Sequence, residues 1–160
     1  MTIKVGDKIP SVSLKHMDEG GMQTVTTDDL FKGKKVVLFA LPGAFTPTCS
    51  AKHLPGFVQN AAAFKGKGID KIVCLAVNDA FVMGAWGKDQ NVGDKVVMAA
   101  DGNGEFAKAL GLDFDGSKFG MGQRSQRFAL VADNGVVTHL AVEAPGKFEV
   151  SSAEAVMKAL

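Results

Sequence analysis

Two segments of the chain are almost wholly apolar and rich in β-branched residues, Val36 to Ala40 and Ile72 to Val77. Short runs without polar alternation predict central strands covered on both faces. Gly56 to Lys67, between them, reads as a helix. Strand, helix and strand in that order make a βαβ unit, with a parallel pair and a right-handed crossover. Further on, a helix is expected over Ala80 to Lys88 and a strand over Val96 to Ala99. A short helix over Glu105 to Leu110 follows, which Gly111 terminates. Asp133-Asn134-Gly135 separates Phe128–Ala132 from Val136–Val142, a hairpin signal that adds an antiparallel pair. Ser151 stands three residues before Glu154, a capping box that would open a last helix through Leu160. The pattern is that of an α/β protein, a mixed central sheet with helices on both faces.

No repeat, low-complexity tract or Pro/Gly/Ser-rich linker divides the chain, so residues 1–160 are read as a single domain. With 46% hydrophobic and 22% charged residues, a chain of this length buries enough surface to need no disulfide or metal staple. The first eighty residues hold ten basic against seven acidic side chains and the remainder eight against ten, too even a balance for nucleic acid or an anionic membrane as partner. The longest uncharged stretch, 16 residues between Lys35 and Lys52, is interrupted by Pro42 and Pro47, so no membrane span is expected. Lys4, Asp7 and Lys8 replace the apolar stretch of a secretory signal. A cytoplasmic protein is the simplest reading, although a cleaved organelle peptide would leave no trace. The two cysteines, Cys49 and Cys74, are too few for a disulfide scaffold and are either buried apolar groups or reactive thiols.

Candidate chemistry concentrates in Pro42-Gly43-Ala44-Phe45-Thr46-Pro47-Thr48-Cys49-Ser50, which follows the first buried strand and leads into a helix. Ligands of open α/β sheets sit beyond the carboxyl ends of strands. Pro47 suits a first helical turn, which makes Thr46 the N-cap and puts Cys49 near the third position. Free N–H groups and the positive helix end would favour a thiolate, taking the thiol below its reference pKa of about 8.5. Both arginines of the chain fall in Arg124-Ser125-Gln126-Arg127, just before the strand at Phe128, while 16 lysines supply the other positive charge. A guanidinium is a rigid, permanently charged fork suited to an anion or polarised oxygen in a partly buried site. Arg127 is the stronger candidate and Arg124 a supporting one; the competing reading pairs both with Asp113 or Asp115 at the surface.

Alternation in Lys71-Ile72-Val73-Cys74-Leu75-Ala76-Val77 puts Cys74 beside Ile72 and Ala76, where a cysteine behaves as a small hydrophobe. Its other reading is a resolving thiol, which would require the strand to loosen locally. His53 shares a helical face with Cys49 on a continuous helix and raises a Cys–His pair, but Pro55-Gly56 argues that the helix is broken or kinked there and for a packed or solvated imidazole. His16 and His139 are isolated, so no metal-ligand spacing is present.

The pattern Pro-x-x-x-Thr-x-x-Cys at Pro42, Thr46 and Cys49 resembles the active-site motif of the peroxiredoxins. The longer string PGAFTPTCS with HLPGF resembles their fifth, or type II, class. The likeness continues through Val77-Asn78-Asp79-Ala80-Phe81-Val82, Trp86 and Arg124-Ser125-Gln126-Arg127-Phe128. It implies a thioredoxin-like fold and a thiol-dependent peroxidase that reduces hydrogen peroxide and organic hydroperoxides through a cysteine sulfenic acid, with no cofactor. By the same resemblance Cys49 is the reacting thiol and Thr46 its hydroxyl partner, donating to one peroxide oxygen. Pro42 is a lid, and Arg127 steadies thiolate and peroxide. Phe45 and Phe119 are candidates to line the substrate pocket. Pro145 to Ser152 lacks the resolving cysteine that some members carry, so glutathione with glutaredoxin, or thioredoxin, is implied as reductant. Pairing into a homodimer is implied as well, with Phe45, Phe81 and Trp86 available for an apolar contact. The alternatives are a thiol-disulfide exchange protein, which Thr46 opposes by standing where a second cysteine of Cys-x-x-Cys would be, and a non-catalytic redox-sensing or holdase module.

Overall fold

The computed structural model describes residues 2–160. The two apolar runs form β3 (Lys35–Ala40) and β4 (Lys71–Ala76), central neighbours in a seven-stranded sheet. On the amino-terminal side lie β1 (Ser13–Asp18), β2 (Gly21–Thr26) and α1 (Thr27–Phe31). After β3 come a π-helical turn (Cys49–His53), α2 (Leu54–Gln59) and α3 (Ala61–Gly66). Beyond β4 follow α4 (Ala80–Asp89), β5 (Val97–Ala100), α5 (Glu105–Leu110) and β6 (Asp113–Asp115). The chain closes with a 3-10 turn (Ser117–Phe119), β7 (Gln123–Ser125), β8 (Phe128–Asp133), β9 (Val136–Val142) and α6 (Ala153–Ala159). The sheet order is β2-β1-β5-β4-β3-β8-β9, and β6 and β7 pair separately.

The parallel pair and the hairpin are both present as expected. β3 runs parallel to β4 and antiparallel to β8, and β8 runs antiparallel to β9. Alternation along the central strands divides the interior in two. Val37, Phe39, Ile72, Cys74 and Ala76 pack with Phe57, Phe64 and Trp86 on one face, and Val36, Leu38, Val73 and Leu75 with Phe31, Phe106 and Leu110 on the other. Phe39 stacks on Phe57 at 4.0 Å between centroids and Phe57 on Phe64 at 5.5 Å. Each such aromatic pair is worth about 0.5–1.5 kcal/mol beyond its buried area. The stack clamps α2 and α3 onto the sheet and fixes the π-helical turn that leads into α2.

Several boundaries differ from expectation. The helix expected over Gly56 to Lys67 is two helices, α2 starting earlier at Leu54 and α3 following a break at Asn60. There the Asn60 amide donates 2.7 Å to the Gly56 carbonyl. At Pro55 the helix is distorted and not interrupted, as the expected break or kink allows. The Leu54 N–H bonds to the Cys49 carbonyl five residues back, so the chain widens into a π turn just before the residue that has no N–H to give. The last helix is capped by Ser152, whose hydroxyl accepts from Ala155 N–H at 3.1 Å, and not by Ser151. The hairpin β1–β2 lacks an apolar run, because only Leu14 of its two strands is fully covered, and its one sequence mark is the Gly20-Gly21 turn.

Candidate active site

β3 ends at Ala40, and the chain turns through Pro42–Thr46 before the helix begins at Pro47. The Thr46 carbonyl accepts from Ser50 N–H at 2.9 Å, so Thr46 occupies the N-cap position and Cys49 the third helical position. The Thr46 side chain does not cap. Its hydroxyl donates to the Gly43 carbonyl at 2.7 Å. With its proton engaged there, the oxygen presents lone pairs to a further partner.

Cys49 is fully buried, and Arg127 Nη2 lies 3.2 Å from its sulfur. Arg127 Nη1 stands 2.8 Å from His53 Nδ1, and His53 Nε2 lies 2.9 Å from the Ser151 carbonyl. A guanidinium only donates, so Nδ1 is bare and Nε2 carries the hydrogen given to Ser151. Burial, and after it the Arg127 charge, drive the His53 pKa down from 6.5 to about 3, so the ring is neutral at physiological pH. Phe39, Phe57 and Phe148 surround it at 5.0, 5.7 and 5.1 Å, and the Arg127 guanidinium lies 5.8 Å from the centre of the Phe148 ring. His53 is therefore packed, as expected, yet it partners Arg127 and not the thiol. Its spacing from Cys49 was the available signal, and Pro55-Gly56 masked it.

Arg124 serves the loop. Its Nε donates to the Met121 carbonyl at 3.0 Å and its Nη1 to the Pro42 carbonyl at 3.3 Å. A Cβ on Gly43 would lie 2.8 Å from Arg124 Nη1, so glycine is what lets the guanidinium reach over the loop. Asn78 Oδ1 accepts from Ala44 N–H at 2.9 Å and holds the loop from the β4 side. Among the described residues neither arginine pairs with Asp113 or Asp115; the ion pair present joins Lys4 and Asp7.

Cys74 lies in register with Phe39, fully buried in the same core as Cys49, and both thiols are free. Burial, and then the neighbouring Cys49, push its thiol up, away from the reactive form. Phe45 sits in the left-handed region at φ 64°, is 52% exposed, and tilts 50° to the Trp86 ring at 6.4 Å. Phe81 is 64% exposed, but Trp86 is fully buried and gives its Nε1–H to Ser50 Oγ at 3.0 Å, which removes it from any surface contact. Phe119, 68% exposed, ends the 3-10 turn. His16 and His139 belong to no group of three potential metal ligands among the described residues.

The Redoxin family profile matches residues 4–157. Peroxiredoxin-2C of Arabidopsis thaliana is 51% identical over 99% of this chain and 98% of its own length. The chloroplastic Peroxiredoxin-2E of the same plant is 52% identical over 99% and 70%. The crystal structure of reduced Prx3 from Vibrio vulnificus in complex with H2O2 superposes with a TM-score of 0.95, at 52% identity and 99% coverage of both chains.

The chain belongs to the peroxiredoxins.

The activity of this peroxiredoxin is thiol-dependent peroxide reduction, and its mixed sheet with helices on both faces is the thioredoxin-like architecture of the family. No described helix of the peroxiredoxin is long and apolar enough to cross a membrane.

Proposed function

We propose that Cys49 is the sulfur that reduces hydrogen peroxide and organic hydroperoxides, with Arg127, Thr46 and Pro42 completing the site. The observation that carries this reading is Arg127 Nη2 placed 3.2 Å from Cys49 Sγ while its other arm is held by a neutral histidine. The thiolate attacks the terminal peroxide oxygen and the O–O bond breaks. Sulfur is oxidised to sulfenic acid, and the departing alkoxide or hydroxide takes up a proton to leave as alcohol or water. Arg127 faces the charge that spreads along the S–O–O line, and Thr46 accepts the peroxide O–H. Pro42, half-buried and tied by Arg124, closes the loop over them.

Replacing Arg127 by leucine is expected to slow Cys49 oxidation by about two to three orders of magnitude, the usual cost of removing a preorganised donor to a transition state. Stopped-flow oxidation with hydrogen peroxide checks this, and a variant within threefold of the parent contradicts it.

Cys74 is read as a packing residue and the reductant as external, glutathione with glutaredoxin or thioredoxin. Because Cys49 is covered, the turn Cys49–His53 opens for a protein thiol to reach the sulfenic acid. The exposed Phe45 and Phe81 support a homodimer contact. Mass spectrometry after one equivalent of peroxide, with dimedone as trap, should find the adduct on Cys49. A predominant Cys49–Cys74 disulfide would replace the external reductant by an internal one.

A further inference from the structure

At the end of β9 the Glu143 side chain is buried, and its Oε2 accepts four hydrogen bonds, from the N–H groups of Glu149 at 2.8 Å, Val150 at 2.9 Å and Ser151 at 2.8 Å, and from Ser151 Oγ at 2.7 Å. The Ser151 carbonyl receives the His53 Nε2–H, and His53 Nδ1 receives Arg127 Nη1. Glu143 N–H donates in turn to the Arg127 carbonyl at 2.9 Å. The bonds thus close a ring through Glu143, Ser151, His53 and Arg127, and one arm of that ring ends on the Cys49 sulfur.

We propose that Glu143 is a positioning residue for the Arg127–Cys49 pair, acting through the Ser151 carbonyl and the tautomer of His53. This rests on the reading that Cys49 and Arg127 carry the reaction.

The connection follows from donor and acceptor chemistry. His53 can accept from Arg127 only while its hydrogen sits on Nε2, and that hydrogen needs an acceptor in a site lined by phenylalanine rings. The acceptor is a backbone carbonyl in a segment, residues 149–151, that has no strand or helix to fix it. Glu143 supplies the fixing. Four donors converging on one oxygen call for a full negative charge; an amide oxygen at the same place holds them less firmly. Burial pushes the Glu143 carboxyl up, and the bonds from Ser151, Glu149 and Val150 outweigh that and leave it below the ordinary value. Without this clasp the carbonyl drifts, His53 loses its reason to keep Nδ1 bare, and Arg127 Nη1 is free to swing and take Nη2 off the sulfur. Neither Glu143 nor Ser151 touches the reacting atoms.

The test compares the parent, Glu143→Gln, Glu143→Ala and Cys49→Ser as full chains. The oxidation rate of Cys49 by hydrogen peroxide is expected to fall on the order of tenfold in Glu143→Gln and further in Glu143→Ala, because displacements below 1 Å already slow an aligned reaction substantially. In parallel, ¹⁵N-histidine NMR at neutral pH is expected to show His53 of the parent as a single neutral Nε2–H form, and His53 of Glu143→Gln as a mixture of tautomers. A general loss of stability would not produce that spectral change in molecules that remain folded. Unchanged rate and an unchanged His53 spectrum in Glu143→Gln would refute the positioning role. If neither Glu143 variant folds, the parent alone still decides, because an Nδ1–H or charged His53 there is incompatible with the ring. Peroxide reduction that persists in Cys49→Ser would instead sink the reading of the site beneath it.

Discussion

Cys49→Ser is expected to reduce peroxide consumption to the background of the reductant alone, while Cys74→Ala keeps oxidation of Cys49 near the parent rate. Serine is nearly isosteric, but its hydroxyl gives no appreciable alkoxide at neutral pH, so the nucleophile disappears while the pocket stays. Cys74 lies in the same apolar core with its thiol held in the protonated form, which makes it a poor attacker. Alanine is the better replacement there, since a serine hydroxyl in that hydrocarbon setting would cost about 1–3 kcal/mol of stability and cloud the comparison. The measurement is peroxide loss with dithiothreitol in excess, supported by thermal unfolding of each variant. Turnover that survives in Cys49→Ser, or is lost in a folded Cys74→Ala, would reverse the assignment of the two thiols.

The second large effect is on stability in acid. His53 has a pKa of about 3 in the folded protein against 6.5 when free in solution. Above 6.5 neither state carries the proton and the group contributes no pH dependence. Below 6.5 the unfolded chain takes up a proton that the folded ring refuses, so stability falls with falling pH at about 1.4 kcal/mol per unit, on the order of 5 kcal/mol in all by pH 3. That is a large share of the roughly 5–15 kcal/mol a domain has to lose. Asp101, raised chiefly by burial, works in the opposite direction as its carboxyl takes up a proton, and Glu143, held low, adds its own loss at the acid end. The decisive quantity is therefore the difference between the parent and His53→Gln in urea unfolding from pH 7 to pH 4. The parent's advantage should shrink, or its deficit grow, as the pH falls; parallel curves would show that His53 titrates like a free imidazole.

Much of the architecture was legible because its signals are local. The β-branched runs at β3 and β4 admitted one placement, the Asp133-Asn134-Gly135 turn set the β8–β9 pair, and Gly111 does end α5 in the left-handed conformation. Cys49 at the end of β3 followed from strand topology and Pro47. What escaped was non-local. The role of His53 depends on Ser151, 98 positions away, and on Arg127, 74 away. No window of sequence contains that ring, and the capping-box pattern drew Ser151 to the wrong task. The π turn is the form taken by the break or kink expected at Pro55: the turn ahead of the proline widens and absorbs the missing hydrogen bond. The engagement of the Thr46 hydroxyl with the Gly43 carbonyl depends on the loop geometry, which sequence does not supply.

Trp86 is the only indole of the chain, which has no tyrosine, and it rests on the hydroxyl of Ser50, the residue beside Cys49. Red-edge excitation therefore addresses one chromophore in one environment. The oxidation proposed for Cys49 is expected to change that environment, so that emission from the unlabelled protein would report it without a dye or a coupled assay.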